Sequence, residues 1–255
     1  MADLVVELTL PPRFVIGDLL VGDVAVRNVG TSAITVSAWL GLNEGDLWVI
    51  VRDPSGRDHT LHGRHVLDVL PREATLTAGQ AIARGLQLSI TSDPGAIMQP
   101  GVYRVTAVYA PGPGLPTVSS NDQTLVVEQA RAGAERGAAA QADPAIVADA
   151  VALGDVDPGS AAGIALEGLA SGSDDRAAPA VARVVLAAAA ARRGADPAWD
   201  EAFRGMDPLE VARLATALQP PAVARDDPLL RAAIRYVAAL DATPQRERAI
   251  AMLEG

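Results

Sequence analysis

All three histidines of this 255-residue chain fall in one heptapeptide, His59-Thr60-Leu61-His62-Gly63-Arg64-His65. Imidazole is a frequent ligand for zinc, copper and nickel, and three of them could fill one face of a coordination sphere. Asp58 and Asp68 stand close enough in sequence to add oxygen ligands. The spacing works against this. In a strand, His59 and His65 face one side and His62 the other. A tight helical turn would align all three, but Gly63 disfavours it and Arg64 adds a repelling charge. The simpler reading is a polar surface loop between two strands. No metal or cofactor is therefore assigned, and His59, His62 and His65 are kept only as metal-ligand candidates.

Other chemistry is weaker still. Asp58 neighbours His59 and serines are available, but no Gly-x-Ser-x-Gly elbow occurs, and Gly159-Ser160-Ala161-Ala162-Gly163 is the wrong pattern. The acidic pairs Asp174-Asp175 and Asp226-Asp227 precede helix-like segments, where capping explains them better than acid–base catalysis. Trp39 and Trp48 could offer a sugar platform, but with aromatic residues at 3% of the chain, stacking positions are too few, and packing is the expected role. No catalytic residue is assigned.

Composition removes further classes. All 21 basic residues are Arg. Without lysine there is no Schiff base, phosphate-loop Lys or kinase-type Lys. Without cysteine there are no thiol nucleophiles, disulfides or cysteine-bound zinc. Residues 1–128 hold 8 Arg against 13 acids, and residues 129–255 hold 13 Arg against 18, so each half is at −5 and neither is a basic module. Nucleic acid and anionic membrane surfaces both call for a positive stripe, and none is present. The opening residues have neither the basic start nor the apolar stretch of a signal peptide, and no apolar run is long enough for a bilayer. A cytoplasmic protein without membrane insertion is expected.

Whatever does the work must be positioned by two kinds of element. Before Glu128, short runs of Val, Leu, Ile and Thr alternate with polar residues and end in Gly, Pro, Asn or Asp. The alternation predicts about eight strands: 5–10, 20–26, 34–40, 47–51, 66–70, 82–90, 102–109 and 125–127. Pro11-Pro12 breaks the first, and Asp53-Pro54-Ser55-Gly56 is a turn. With no helix between them, these strands suit an antiparallel sandwich. The segment Pro100-Gly101-Val102-Tyr103-Arg104-Val105 resembles the start of the penultimate strand in immunoglobulin-like and fibronectin type III-like domains. Ser120-Asn121, before the last strand, fits the same pattern. The resemblance implies that Tyr103 is a corner tyrosine whose hydroxyl ties the strand to an upstream backbone group. It implies a fold and no activity.

After Glu128 alanine dominates. Asp-Pro recurs at 143, 157, 196, 207 and 227, and Thr243-Pro244 uses the same device. Asp174-Asp175 lead into a further start near Pro179. Asp and Thr cap free amides, and proline suits the first helical position, so about seven helix starts are predicted. Apolar stripes support them at Val181, Val184, Val185 and Ala188, at Leu209, Ala212, Leu214 and Leu218, and at Leu230, Ile234 and Val237. Arg192-Arg193-Gly194 reads as a helix end. Pro158 to Pro208, Pro179 to Pro228 and Pro197 to Pro244 are 50, 49 and 47 residues apart, as two three-helix units would require. Trp199 and Phe203, four apart, should pin their helix to its neighbours.

The expected organisation is multidomain: an all-β immunoglobulin-like sandwich over 1–128, an Ala/Gly-rich linker over 129–142, and an all-α helical bundle or short α-hairpin array over 143–255. The expected function is a non-enzymatic interaction or scaffold protein that takes a protein partner or a second copy of itself and turns over no small-molecule substrate. Two alternatives remain. One is a protease-inhibitor-like regulator presenting the loop 57–64, and the other a metal-dependent hydrolase using His59, His62 and His65.

Overall fold

The computed structural model describes residues 3–16, 20–63, 72–88, 93, 95–97, 99–129, 156–171, 177–218 and 226–254. Strands fill the N-terminal part and helices the C-terminal part. Contacts divide the chain into two compact units, with the last strand in one and the first described helix in the other.

The strands are β1 (Leu4–Thr9), β2 (Arg13–Val15), β3 (Val21–Asn28), β4 (Ile34–Ser37), β5 (Leu47–Arg52), β6 (Asp58–Leu61), β7 (Glu73–Leu76), β8 (Ala81–Gln87), β9 (Gly101–Tyr109), β10 (Val118–Ser119) and β11 (Gln123–Glu128). One sheet runs β1-β3-β8. A larger one runs β2-β11-β9-β5-β6, with β10 also on β9, and β4 pairs with β7. Every pairing is antiparallel except β2 on β11. Pro11-Pro12 separates β1 from β2, and the chain changes sheets there. Proline has no amide hydrogen to continue the first ladder.

Period-two alternation sets which side chains turn inward. Leu4, Val6 and Leu8 of β1, Leu47, Val49 and Val51 of β5, Tyr103, Val105, Ala107 and Tyr109 of β9, and Leu125 and Val127 of β11 are all buried. They meet Val24, Val26, Val36, Leu61, Leu76 and Leu86 in one apolar core fed by all three sheets. A one-residue slip in any of these strands would turn its apolar set to water, so the core fixes the register.

Several expectations need correction. Residues 34–40 do not form one strand. β4 stops at Ser37, whose Oγ donates to Asp46 Oδ2 and accepts from the Trp39 amide, turning the chain away. The strands β2, β6, β7 and β10 were not expected. β6 is the main correction, because residues 58–61 were read as part of a surface loop. The strand expected over 66–70 and all but residue 129 of the linker expected over 129–142 lie outside the described residues, as does the helix start at Asp143-Pro144.

The described helices are α1 (Ala161–Ala170), α2 (Ala177–Arg192), α3 (Trp199–Ala202), α4 (Pro208–Ala217), α5 (Pro228–Ala239) and α6 (Pro244–Glu254). Three starts behave as predicted. Asp207 caps α4 in a full capping box with Glu210, Asp227 caps α5, and Thr243 Oγ1 accepts from the Arg246 amide at the start of α6. Two do not. Asp157-Pro158 forms a turn one step early, and Ser160 takes over by accepting from the Gly163 amide. Residue 198, not Asp196, precedes α3, and its side chain makes no cap.

Within this unit α1 packs on α2, α2 on α3 and α5, and α4 on both α5 and α6. The proposed repeat is imperfect: α3 is a single turn of 4 residues where its counterpart α6 runs 11. Trp199 and Phe203 do pin α3, stacking at 5.7 Å between centroids. Phe203 also meets Tyr236 of α5 at 5.1 Å.

Candidate functional site

β6 aims its histidine where the loop reading did not. His59 is the register partner of Val51 and lies on the same side of the strand as Leu61, the core-facing side. At the end of the sheet it meets two turns rather than more apolar packing. Its Nε2 lies 3.2 Å from Asp53 Oδ2 and its Nδ1 lies 3.1 Å from Asp93 Oδ2. The His59 side chain is 15% exposed.

Each carboxylate also organises its own turn. Asp53 Oδ1 accepts from the Ser55 amide at 2.8 Å, the Ser55 hydroxyl at 2.6 Å and the Arg57 amide at 2.9 Å, closing the β5–β6 hairpin. Those donors, the Ser55 hydroxyl first, hold the Asp53 carboxyl far below the usual carboxylate range. Asp93 Oδ1 accepts from the Gly95 amide at 3.2 Å, and its carbonyl accepts from the Ala96 amide at 3.2 Å. Ala96 and Ile97 then enter the core. Two residues further on, the Gln99 carbonyl accepts the Tyr103 hydroxyl at 2.8 Å, the backbone tie expected of a corner tyrosine.

His62 is not gathered here. It sits beside the Trp48 ring, at 6.3 Å between centroids. His65 and Asp68 lie outside the described residues. Asp58 does not orient His59. It makes a two-point ion pair with Arg52, Nε to Oδ1 at 2.7 Å and Nη2 to Oδ2 at 2.9 Å, which lowers the Asp58 pKa and raises that of Arg52. Among the described residues no group of three His, Asp or Glu side chains could hold a metal ion. The reason at His59 is geometric: Asp53 and Asp93 sit against different ring nitrogens, so they cannot converge with the imidazole on one point.

Sequence reasoning missed both partners of His59. Asp53 was read as a turn former only, and Asp93 was not singled out. Both open an Asp-Pro dipeptide, Asp53-Pro54 and Asp93-Pro94, and both bind the amide two residues on. That shared device was legible. Its meeting with His59 across 34 residues was not.

Two further polar groupings are structural. Arg84 of β8 reaches Glu44 at 3.2 Å, and the Glu44 side chain is almost wholly buried. Gly41 makes room for it, since an added Cβ there would stand 2.0 Å from Glu44 Oε2. Trp39 is covered by the Arg72 guanidinium at 5.9 Å, which leaves it unsuited as an open stacking platform.

No protein-family model matches the chain, and no curated protein matches it. Solved structures with partial similarity include a β-glucosidase from Listeria innocua, at 15% identity and a TM-score of 0.31 over 51% of this chain and 16% of that one. The CARDB domain of the PF1109 protein from Pyrococcus furiosus, in complex with di-metal ions, matches at 16% identity and a TM-score of 0.30, over 50% of this chain and 89% of that one. This chain thus spans about one sixth of the glucosidase's length. Overlaps this loose carry no argument about fold, metal or activity. No helix among the described residues is long and apolar enough to cross a membrane.

Proposed function

We propose that the chain is a non-enzymatic, cytoplasmic interaction or scaffold protein, in which an immunoglobulin-like sandwich and a helical domain each present a surface to a protein partner or to a second copy. The observation that carries this reading is the outward face of the larger sheet. Val102 of β9 is 58% exposed there, in register with Val126 of β11. Further along the same face, the half-buried Trp48 and Ile50 of β5 lie beside Thr106 and the buried Val108. Charges around these residues are matched in pairs: Arg52 with Asp58, Arg104 with Asp122, and Arg13 with Glu128. Arg52 and Arg104 stand opposite each other between these two apolar groups, and apolar residues interspersed with balanced charges suit a protein surface better than a polyanion.

The inhibitor-like alternative draws no support from the geometry. Residues 58–61 are a strand with Leu61 in the core, so that stretch is held by the sheet rather than free to enter a cleft. The hydrolase alternative would need His59 to release a carboxylate before it could act as a ligand or base.

The test compares the full chain with Val102→Glu. Mass by light scattering and chemical cross-linking with identification of captured proteins are the readouts. The reading expects the variant to keep the parent's thermal midpoint while losing its partner or its self-association. If parent and variant are both monomeric and cross-link to the same proteins in the same yield, the sheet face is not a docking surface.

A further inference from the structure

We propose that His59, clamped between Asp53 and Asp93, is a protonation-dependent latch that fastens the turn beginning at Asp93 to the β5–β6 hairpin. The argument begins with donors and acceptors. An ionised carboxylate only accepts hydrogen bonds. A neutral imidazole has one donor nitrogen and one acceptor nitrogen. With a carboxylate oxygen at 3.2 Å from Nε2 and another at 3.1 Å from Nδ1, a neutral ring satisfies one contact and turns a lone pair on the other. Only the imidazolium donates to both. The doubly held geometry therefore belongs to the protonated ring.

The surroundings favour that form. The hydrogen bond that His59 donates to Asp53 and then that to Asp93 raise the His59 pKa, partial burial lowers it, and the Arg57 guanidinium in the hairpin turn opposes protonation. Asp58, the next residue along β6, is itself matched by Arg52. That pair lies on the other side of the strand, so the two clamping carboxylates dominate around the ring.

The latch joins segments 34 residues apart in sequence. Asp53 belongs to a hairpin turn closed by its own hydrogen bonds. Asp93 starts the turn that carries Ala96 and Ile97 into the core. Because pairing raises the His59 pKa above its unfolded value, the contribution is complete below about pH 6.5 and is lost as pH climbs past the raised midpoint. Asp53 stays ionised well into acid, so the Asp53 contact does not fail first on that side. The end of the sheet should loosen on the alkaline side and tighten on the acid side.

The experiment follows imidazole resonances of the full chain by NMR from about pH 5 to about pH 9, with His59 assigned through His59→Gln. Amide exchange of Gly95 and Ala96 is read in parallel and corrected for the intrinsic effect of pH. The expected His59 midpoint lies above that of the same chain unfolded in urea, and Asp93→Asn lowers it. Protection of Gly95 and Ala96 should fall as pH rises through the midpoint, by about tenfold for each unit separating the folded and unfolded values. It should be low and independent of pH in His59→Gln. If His59→Gln does not fold, Asp93→Asn decides alone, by a lowered midpoint and a weaker pH dependence of protection. A His59 midpoint at or below the unfolded value overturns the latch. So does protection at Gly95 and Ala96 that is the same at both ends of the pH range.

Discussion

Removing the Asp227 carboxylate should cost the helical unit about 3 kcal/mol, because one buried group serves two helices and a cation. Its side chain is 1% exposed. Oδ1 accepts from the Leu229 amide at 3.0 Å and the Leu230 amide at 3.3 Å, capping α5. Oδ2 accepts from Arg192 Nε at 2.9 Å. The same guanidinium donates through Nη2 to the Leu218 carbonyl at 3.1 Å, beyond the end of α4. Arg192 therefore bridges the carboxyl end of one helix and the amino end of the next.

In Asp227→Ala, loss of the cap alone costs about 1 kcal/mol. Leaving the partner of a buried pair without its counterion costs about 3–5 kcal/mol. These overlap, since one carboxylate supplies both. Arg192 is 18% exposed and keeps its bond to Leu218, so it can turn a nitrogen to water and the lower end applies. Asp227→Asn preserves an oxygen for the cap but presents no charge to the guanidinium, and should cost about 2 kcal/mol. Urea unfolding followed by far-ultraviolet circular dichroism reads the helical transition. In thermal unfolding the alanine variant should melt roughly 15 °C lower. If Asp227→Ala stays within about 0.5 kcal/mol of the parent, the bridge contributes nothing and the reasoning fails. If only Asp227→Asn is neutral, the carboxylate is a cap and the ion pair is incidental.

Three more outcomes follow from named contacts. Gly163→Ala should destabilise α1 although alanine is favoured over glycine in helices by about 1 kcal/mol, because its Cβ would stand 2.2 Å from the Asp157 carbonyl oxygen; Gly159→Ala, with open space, should be near neutral in the same denaturation assay. Tyr103→Phe removes the hydroxyl that bonds the Gln99 carbonyl and should cost about 1–2 kcal/mol in the unfolding of the β region; an unchanged midpoint would show that water replaces the tie. Phe203→Ala empties the space between Trp199 and Tyr236 and should cost about 3–5 kcal/mol in the helical transition.

What could be read in advance depended on how much of an element is buried. β1, β5, β9 and β11 announce themselves because each sends every second side chain into the core, and the alternation survives in the letters. β6 escaped because it is an edge strand, and only Leu61 of its four residues is buried. β7 escaped similarly, with Leu76 alone buried. Asp207-Pro208 and Asp227-Pro228 read correctly as helix starts. Asp157-Pro158 did not, because Ser160, three residues on, offered a competing cap whose helix begins at Ala161. The His59 clamp was half legible. The histidine and both Asp-Pro turns are visible, but their meeting depends on sheet order and on which way β6 faces. Neither is a property of a local window.

The missing lysine has a structural counterpart. Arg192 stands in the last turn of α2, with Gly194 at positive φ just beyond, as the sequence leads one to expect. Both arginines also reach past their own helix: Arg192 serves Leu218 and Asp227, and Arg193 donates to the Val156 carbonyl, ahead of α1. Arg246 of α6 donates to the Val237 and Ala238 carbonyls at the end of α5, at 3.1 and 2.9 Å, and Arg183 of α2 reaches the Arg204 carbonyl beyond α3 at 3.3 Å. The last carbonyls of a helix have no partner within it. A guanidinium has several fixed donors and can satisfy two acceptors at once, whereas an ammonium is a strongly hydrated point charge. Short helices have a large share of their carbonyls at their ends, and alanine-rich faces offer little apolar area to compensate. Arginine reaching from one helix to the end of another answers both needs: it satisfies the carbonyls and fixes the spacing of neighbours that small side chains leave weakly specified. Arg246→Lys should therefore be costly, since a lysine would have to satisfy the carbonyls of Val237 and Ala238 with a single point of charge. Arg246→Lys unfolding at the parent's urea midpoint would show that charge alone suffices, and that the two-carbonyl geometry is not what holds α6 against α5.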